Sequence, residues 1–309
     1  MNELEKERFW DETAAQLAAI PLELELSPKV ITQPKIKCFS ISFKSLEGEK
    51  IHGLLLLPEI THGKVPVVVD ILGYMTHIQN AEEFAHWPQI GCGCLVIDNR
   101  GQGGQTLDTA PYLTTNGESP MVRGLLTPED SYMRRLVADQ MRLFSVIDVI
   151  PELDNDQIFL HGNSQGGGLA LLLNGICRKK IRATLANVPS HSNISRRVHE
   201  KTGSYGAIAD YLLLHPEDEQ HVLATLAVFD TKYYAKRIAN PVFTSAASAD
   251  TTCPMKDFLV TYRRLAAPKS LTVYWGKGHE GGGSRQLARE ISLMRQLTEE
   301  LNKDADCNL

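Results

Sequence analysis

Ser164 lies in the pentapeptide GNSQG, residues 162–166, which matches the pattern GxSxG. The apolar run QIFL precedes it and the run LALLL follows, so the serine is predicted at a junction of a strand and a helix. A nucleophilic serine at such a junction has strained backbone angles, and glycines beside it leave room for the sharp turn. Gly162 and Gly166 fit that need. The pattern favours Ser164 as a nucleophile, with a purely structural turn as the alternative.

Two phosphate-binding interpretations of the same glycines fail on details of the sequence. A P-loop requires GxxxxGK[ST], but no lysine follows the motif before Lys179. A dinucleotide-binding turn requires GxGxxG, and Ser164 stands in the place of the second glycine.

Two predicted loops supply the partners that a nucleophilic serine requires, a histidine base and a carboxylate that orients it. Asp250 comes two residues after the apolar run PVFTSAAS, and His279 comes three residues after the run SLTVYWG. In α/β-hydrolases the chain order is serine, acid, histidine, and the partners follow late strands. Asp257 falls within a predicted helix and Asp230 precedes the strand that should present the acid, so Asp250 is the predicted acid.

His279 is preferred among ten histidines because it follows the last predicted strand. Four others precede the serine, which is the wrong order: His52, His62, His77 and His86. His161 is interpreted as a packed residue at a strand end. The remaining four belong to a helical insertion, where solvated or pocket-lining positions are expected: His191, His199, His215 and His221.

The oxyanion that forms during acyl transfer needs two backbone N–H groups. Gln165, the residue after the nucleophile, is predicted to provide one. Tyr74, in the loop after the apolar run VPVVVDIL, is predicted to provide the other. An ordinary loop aromatic is the alternative for Tyr74.

Apolar runs recur along the chain and predict the strands and helices that position these residues. Two alternating runs joined by LEGE, 37–45 and 50–58, predict an antiparallel hairpin at a sheet edge. Shorter, uniformly apolar runs predict buried parallel strands: 65–72, 92–99, 157–162, 183–188, 241–248 and 270–276. Segments with helical spacing alternate with them: 81–90, 131–150, 167–178, 255–266 and 284–301. This alternation is typical of a mostly parallel, doubly wound α/β sheet.

Residues 189–234 interrupt the alternation of strands and helices. The segment is mainly helical and rich in histidine and tyrosine, and we expect it to cover the C-terminal edge of the sheet. No long Pro/Gly/Ser linker and no internal repeat divides the sequence, so residues 1–309 are interpreted as a single domain.

Composition excludes several classes of protein. The 309 residues are 43% hydrophobic and 22% charged, which is ordinary for a folded domain. A net charge of -5 argues against a nucleic-acid partner, and no apolar run is long enough to span a membrane. The charged N-terminus lacks the apolar segment of a secretory signal, and six cysteines without a CxxC pair indicate buried free thiols. Together these features predict a cytoplasmic protein.

Four segments resemble the signature segments of the acetyl xylan esterase/cephalosporin C deacetylase family, which is carbohydrate esterase family seven of the α/β-hydrolases. They are DNRGQGGQ (98–105), GNSQGGGLAL (162–171), ADTTCP (249–254) and GKGHEGGG (276–283). They occur in the family's order, and flanking stretches such as RFWDETAAQLAAIPL (8–22) agree. The resemblance therefore covers nearly the whole chain.

The resemblance implies Ser164 as nucleophile, His279 as general base, Asp250 as the acid that orients it, and Tyr74 and Gln165 as oxyanion donors. It also implies deacetylation of small acetylated substrates, xylo-oligosaccharides and cephalosporin C among them, by a cytoplasmic homo-hexamer. An acetyl-enzyme mechanism needs no metal and no cofactor. The alternatives are the same fold acting on another small ester, lactone, thioester or peptide, and a catalytically silent binding protein.

The sequence departs from the family's pattern at two loops. Leu72 stands before Gly73 where the family commonly has histidine, and Met255 follows Pro254 where a second proline is typical. We expect these changes to bear on pocket walls and substrate preference rather than on the triad.

The triplet Arg100-Gly101-Gln102 follows a predicted strand and is interpreted as structural. Arg100 is expected either to pair with Asp98 or to brace the elbow and the acid loop.

Overall fold

The computed structural model describes residues 1–61 and 63–306. In this part the chain forms the strands β1 Glu25–Lys29, β2 Ile36–Lys44, β3 Lys50–Pro58, β4 Val65–Ile71, β5 Gly93–Ile97, β6 Leu153–Asn163, β7 Ile181–Asn187, β8 Val242–Ala247 and β9 Lys269–Tyr274. The α-helices are α1 Glu3–Ala19, α2 Tyr132–Val149, α3 Gln165–Ile176, α4 Ile194–His199, α5 Gly206–Leu214, α6 Glu219–Leu226, α7 Met255–Tyr262 and α8 Gly283–Asp306.

The strands form one sheet in the order β1-β2-β3-β5-β4-β6-β7-β8-β9. β5, β4, β6, β7, β8 and β9 pair in parallel, whereas β1, β2 and β3 pair antiparallel and join through β5. β5 is buried along its whole length and β4 almost entirely, as expected for apolar strands covered on both faces. The predicted mostly parallel α/β sheet is confirmed.

The predicted antiparallel hairpin is confirmed as β2 and β3, but its position at the sheet edge is wrong. β1 pairs outside β2 and forms that edge. All five residues of β1 are exposed, so the strand lacks the alternation of apolar and polar residues from which it could be predicted.

The predicted helix at 81–90 is also wrong. The structure has two short 3₁₀ helices there, Ala81–Phe84 and Pro88–Ile90. Pro88 lacks the N–H that an α-helix interior requires, which divides the segment.

The chain order of the parallel strands reverses between β4 and β6. From β4 the chain moves outward to β5 on one side, and later continues from β6 toward β9 on the other. The carboxyl ends of β4 and β6 therefore border the crevice in which open α/β sheets bind ligands. Ser164 follows directly after β6.

Helix α1 packs beneath the sheet against α2 and against the end of the helical segment that precedes β8. Phe9 and Trp10 are buried there, and Trp10 Nε1 donates to the Tyr234 hydroxyl at 2.9 Å. The Tyr234 hydroxyl in turn donates to the Val228 carbonyl at 2.7 Å. The N-terminal helix is thus fixed to residues more than two hundred positions later in the chain.

The segment predicted as a helical insertion leaves the carboxyl end of β7 and returns at β8. It holds α4, α5 and α6 with short 3₁₀ turns between and after them. His191 lies in it but is neither solvated nor a wall of the main cavity, contrary to expectation. Its side chain is fully buried and bonds to the Tyr205 hydroxyl at 2.6 Å, and burial lowers its pKa to about 3.

Five cysteines are free thiols, as predicted: Cys38, Cys92, Cys94, Cys177 and Cys253. All of them except Cys177 are buried. Cys307 and His62 lie outside the described residues. Within the described part, no helix combines the length and apolarity needed to cross a membrane.

Candidate active site

Ser164 occupies a sharp turn between β6 and α3. Its backbone angles, φ 56° and ψ -116°, are strained for a residue with a side chain. A Cβ on Gly162 would lie 2.4 Å from the Gly166 carbonyl carbon, and a Cβ on Gly166 would lie 1.8 Å from the Ile71 carbonyl oxygen. Neither position tolerates a side chain, so both glycines are needed for this corner.

The structure brings Ser164, His279 and Asp250 into one hydrogen-bonded relay. His279 Nε2 lies 2.9 Å from Ser164 Oγ, and His279 Nδ1 lies 2.8 Å from Asp250 Oδ2. The Asp250 side chain is fully buried, while His279 is about one third exposed. This is the geometry in which a histidine can take a proton from a serine while a carboxylate fixes its orientation.

The loop that carries Asp250 is held by its own backbone and by a neighbouring arginine. Asp250 Oδ1 accepts from the N–H groups of Thr252 and Cys253, both at 2.8 Å. Arg197, buried at the end of α4, donates to the Thr252 carbonyl at 2.6 Å and to Ser190 Oγ at 2.7 Å. The sequence analysis did not single out Arg197, because nothing in its surroundings indicates a partner fifty-five residues later.

The two predicted oxyanion donors lie on adjoining loops. Gln165 is the first residue of α3, and the leading N–H groups of a helix have no partner within it. Tyr74 follows β4, whose last carbonyls touch Gly166 in the elbow. No bond from the Tyr74 N–H is found within the described part of the chain. Both groups are therefore available to a ligand oxygen.

Gln102 joins these two loops. Its Oε1 accepts from the Met75 N–H at 2.8 Å, and its amide exchanges two hydrogen bonds with the Gln165 side chain at 3.1 and 3.2 Å. Its Nε2 also donates to the Tyr132 hydroxyl at 2.8 Å. The side chain is 1% exposed, and these bonds connect the two segments that carry the predicted oxyanion donors.

Arg100 is fully buried and forms a bidentate ion pair with Asp139 of α2, with N–O distances of 2.6 and 2.7 Å. Burial disfavours its charge, but the Asp139 carboxylate outweighs that effect and raises the pKa of Arg100. The alternative of pairing with Asp98 is wrong. The Asp98 oxygens accept from the N–H groups of Ile78 and Gln105, so that carboxylate is already occupied. Gly101, between Arg100 and Gln102, has φ 64° and allows the turn.

A cavity of about 600 Å³ opens beside Ser164 and His279. Its walls come from the carboxyl ends of β4 and β6, from the loop after β7 and from the start of α8. Leu72 lines the cavity, as expected for this departure from the family's sequence pattern. Met255 does not, because it begins α7 and packs against the apolar cluster around Phe258.

A buried ionic cluster forms the inner wall of the cavity. His161 Nδ1 lies 2.8 Å from Asp70 Oδ1, and His161 Nε2 lies 3.4 Å from Glu290 Oε2. Burial disfavours the imidazolium, but the two carboxylates outweigh it and raise the pKa of His161 to about 10. His161 is therefore a charged member of a cluster, whereas the sequence indicated only packing at a strand end.

One surface group among the described residues has metal-ligand chemistry, His215, Glu217 and Asp218 in the helical insertion. All three are at least partly exposed, and none of them lines the cavity beside Ser164.

A family model described as acetyl xylan esterase (AXE1) matches residues 2–297. The solved acetyl xylan esterase from Paenibacillus sp. R4 is 30% identical, with a TM-score of 0.88 and 95% of each chain covered. Acetyl xylan esterase 1 from Thermoanaerobacterium sp. JW/SL YS485 is 25% identical, with a TM-score of 0.85, 95% of this chain and 93% of that chain covered.

The acetyl esterase Axe7A of Xylanibacter ruminicola is 23% identical over an alignment of 277 residues that covers 87% of this chain. The match spans 61% of that relative's length. An acylaminoacyl peptidase from Pyrococcus horikoshii is 15% identical with a TM-score of 0.64, covering 89% of this chain and 41% of that one, and shows a shared fold alone. The chain therefore belongs to the acetyl xylan esterase family, has the predicted α/β-hydrolase fold, and is a carboxylic ester hydrolase.

Proposed function

We propose that the protein is a serine esterase that removes acetyl groups from small acetylated substrates through an acetyl-enzyme. The observation that carries the proposal is the relay from Ser164 through His279 to Asp250, which opens into a cavity of about 600 Å³. Pockets of this size bind small molecules, and the family membership favours acetyl esters of carbohydrates.

In the proposed mechanism Ser164 Oγ attacks the acetyl carbonyl while His279 Nε2 accepts its proton. Asp250 holds His279 in the required tautomer and stabilises the imidazolium. The N–H groups of Tyr74 and Gln165 donate to the oxyanion. His279 then gives the proton to the departing alcohol, and a water molecule attacks the acetyl-enzyme in the same way.

Replacement of the nucleophile tests the proposal. We expect Ser164→Ala to lower kcat on p-nitrophenyl acetate by roughly 10⁴-fold or more and to abolish labelling by a fluorophosphonate. Cys253→Ala is the matched control, since its Sγ lies 3.8 Å from Ser164 Oγ and offers another nucleophile. Full activity in Ser164→Ala, or lost labelling in Cys253→Ala alone, would overturn the assignment.

A panel of esters tests the proposed substrates. We expect acetylated xylose, acetylated xylobiose and cephalosporin C to be deacetylated, and the rate on p-nitrophenyl esters to collapse beyond the propionyl group. A broad acyl tolerance would favour the alternative, an enzyme for another small ester, lactone or thioester.

The assembly and location implied by the family resemblance are also proposed here: a homo-hexamer in the cytoplasm. Light scattering of the purified chain and fractionation of the source cells test them.

A further inference from the structure

We propose that His161 and Glu290 form a binding site for hydroxyl groups of the alcohol portion of the ester, and that Asp70 holds His161 in place for it. His161 Nε2 donates to the substrate oxygen and Glu290 Oε2 accepts the hydroxyl proton. This inference rests on the proposed function, because it assigns the part of the substrate that is not acetyl.

The site shares the cavity with the nucleophile. Asp70 of β4 and His161 of β6 are paired in the parallel register, so both side chains point to the same face of the sheet. Glu290 reaches them from α8, which covers that face. Ser164 lies three residues beyond His161, and all four residues line the same cavity. The cluster and the nucleophile therefore border the same cavity.

One donor and one acceptor in this cluster face each other as an ion pair but make no hydrogen bond in the described part of the chain. The 3.4 Å between His161 Nε2 and Glu290 Oε2 allows attraction of charges, but it lacks hydrogen-bond geometry, and Nε2 has no bonded partner. Glu290 Oε1 accepts from Asn187 Nδ2 at 2.7 Å and Gln286 Nε2 at 3.2 Å, whereas Oε2 has no donor in the described part of the chain. His161 is 4% exposed and Glu290 3%, so an unpaired polar atom here is costly.

The two groups are rigidly held. Trp87 Nε1 and His161 Nδ1 occupy the two oxygens of Asp70 at 2.8 Å each. On the other side, the bonds from Asn187 and Gln286 fix the Glu290 carboxylate. A site whose polar groups are already oriented loses little entropy when a ligand binds.

The charges of the cluster favour a neutral hydroxyl over charged groups. A ligand ammonium would meet the protonated His161, and a ligand carboxylate would meet Glu290. The remaining carboxylates of the cavity wall are Glu83 and Glu280, and no lysine or arginine among the described residues lines the cavity. A hydroxyl satisfies both unused atoms, since it accepts and donates at once. The site is thus suited to neutral polyol acetates such as acetylated sugars.

Comparison of two substrates with the same acyl group tests the inference. We expect Glu290→Gln to lower kcat/KM for methyl xyloside monoacetate, relative to p-nitrophenyl acetate, by about 10- to 100-fold, the worth of a hydrogen bond to a charged group. His161→Asn should shift the ratio in the same direction. Glu299→Gln, an exposed position on the same helix, is the matched control and should leave the ratio at the wild-type value.

Charged substrates give an independent readout on the wild-type enzyme. We expect kcat/KM for the xyloside acetate to exceed that for 6-O-acetylglucosamine and for an acetylated uronate by about tenfold or more. Methyl xyloside should inhibit p-nitrophenyl acetate hydrolysis competitively, and less strongly in Glu290→Gln.

Rates are normalised to sites labelled by the fluorophosphonate, so that a fraction of unfolded variant does not alter the comparison. A substrate ratio unchanged within twofold in Glu290→Gln, or an equal fall for both substrates, would overturn the inference and leave the cluster a structural role. Failure of the proposed function is seen separately, as full activity in Ser164→Ala.

Discussion

Asp250 is the residue whose side chain contributes most to the orientation of His279. Its Oδ2 bonds to the imidazole while its Oδ1 bonds to two N–H groups of its own loop. The carboxylate cannot rotate without losing these bonds. The imidazole is therefore fixed with Nε2 toward Ser164 before any substrate binds.

We expect Asp250→Asn to lower kcat on p-nitrophenyl acetate by roughly 10³- to 10⁴-fold, because an amide N–H would face His279 Nδ1 and favour the wrong tautomer. Steady-state kinetics across the pH range measures this. Asp257→Asn is the control, since Asp257 is equally buried but bonds to Asn193. A larger loss in Asp257→Asn than in Asp250→Asn would identify Asp257 as the acid.

Residues of the candidate site differ in how far the sequence reveals them. Ser164, Asp250 and His279 each lie within five residues of the end of an apolar strand, so their positions could be predicted from local patterns. His161 and Glu290 also line the cavity, but their partnership depends on a helix that crosses the sheet. Their separation of more than a hundred residues leaves no periodic signal, and only the folded chain brings them together.

At the scale of elements, the loop after β5 connects the two segments that carry the proposed oxyanion donors. Gln102 binds the loop after β4 through Met75 and the start of α3 through Gln165. Tyr132 at the start of α2 supports it from the other side. These contacts are those expected of Gln102 as a positioning residue rather than a catalytic one.

Gln102→Leu tests that role. We expect a fall in kcat of about 10- to 100-fold with a smaller change in KM, because the Met75 N–H beside Tyr74 loses its bond to Gln102 while the cavity beside Ser164 persists. Asn174→Leu is the control, as it removes a buried amide bonded to Thr184 and Asn240 near the far end of α3. Both variants should lose about 1–3 kcal/mol of unfolding free energy, but kcat should fall in Gln102→Leu alone.

The strands and helices could be predicted where burial is periodic and not elsewhere. The parallel strands and α2, α3, α7 and α8 follow their apolar patterns within a few residues. β1 escaped prediction because every residue in it is exposed. α1 was not predicted because its buried positions include the polar Lys6 and Thr13, which interrupt its apolar face.

For the whole molecule, the charged cluster beneath the active site links stability to pH. The pKa of His161 rises from 6.5 in the unfolded chain to about 10 in the fold, owing to the facing carboxylates of Asp70 and Glu290. Its contribution is complete below pH 6.5 and is lost as pH rises toward 10. Between these values the unfolded chain has already released the proton that the folded protein still holds.

We therefore expect the free energy of unfolding to fall as pH rises above 6.5. The proton on His161 should account for about 1.4 kcal/mol of that fall per pH unit. Urea denaturation at pH 6, 7.5 and 9 measures the slope. His161→Asn should be less stable at pH 6 and should lack this part of the slope. Parallel curves for the two proteins would show that His161 releases its proton near its ordinary pKa.

The bond between Trp10 and Tyr234 has a consequence for synthesis of the chain on the ribosome. The two residues are 224 positions apart, so Trp10 is synthesised long before the tyrosine that accepts its hydrogen bond. At 5–20 residues per second that delay is about 11 to 45 seconds. Until α2 has been made, Phe9 and Trp10 form an exposed hydrophobic surface on the nascent chain, and after that Trp10 still lacks the Tyr234 hydroxyl. A chaperone that binds short aromatic segments would find its target there before the hydrolase core is complete.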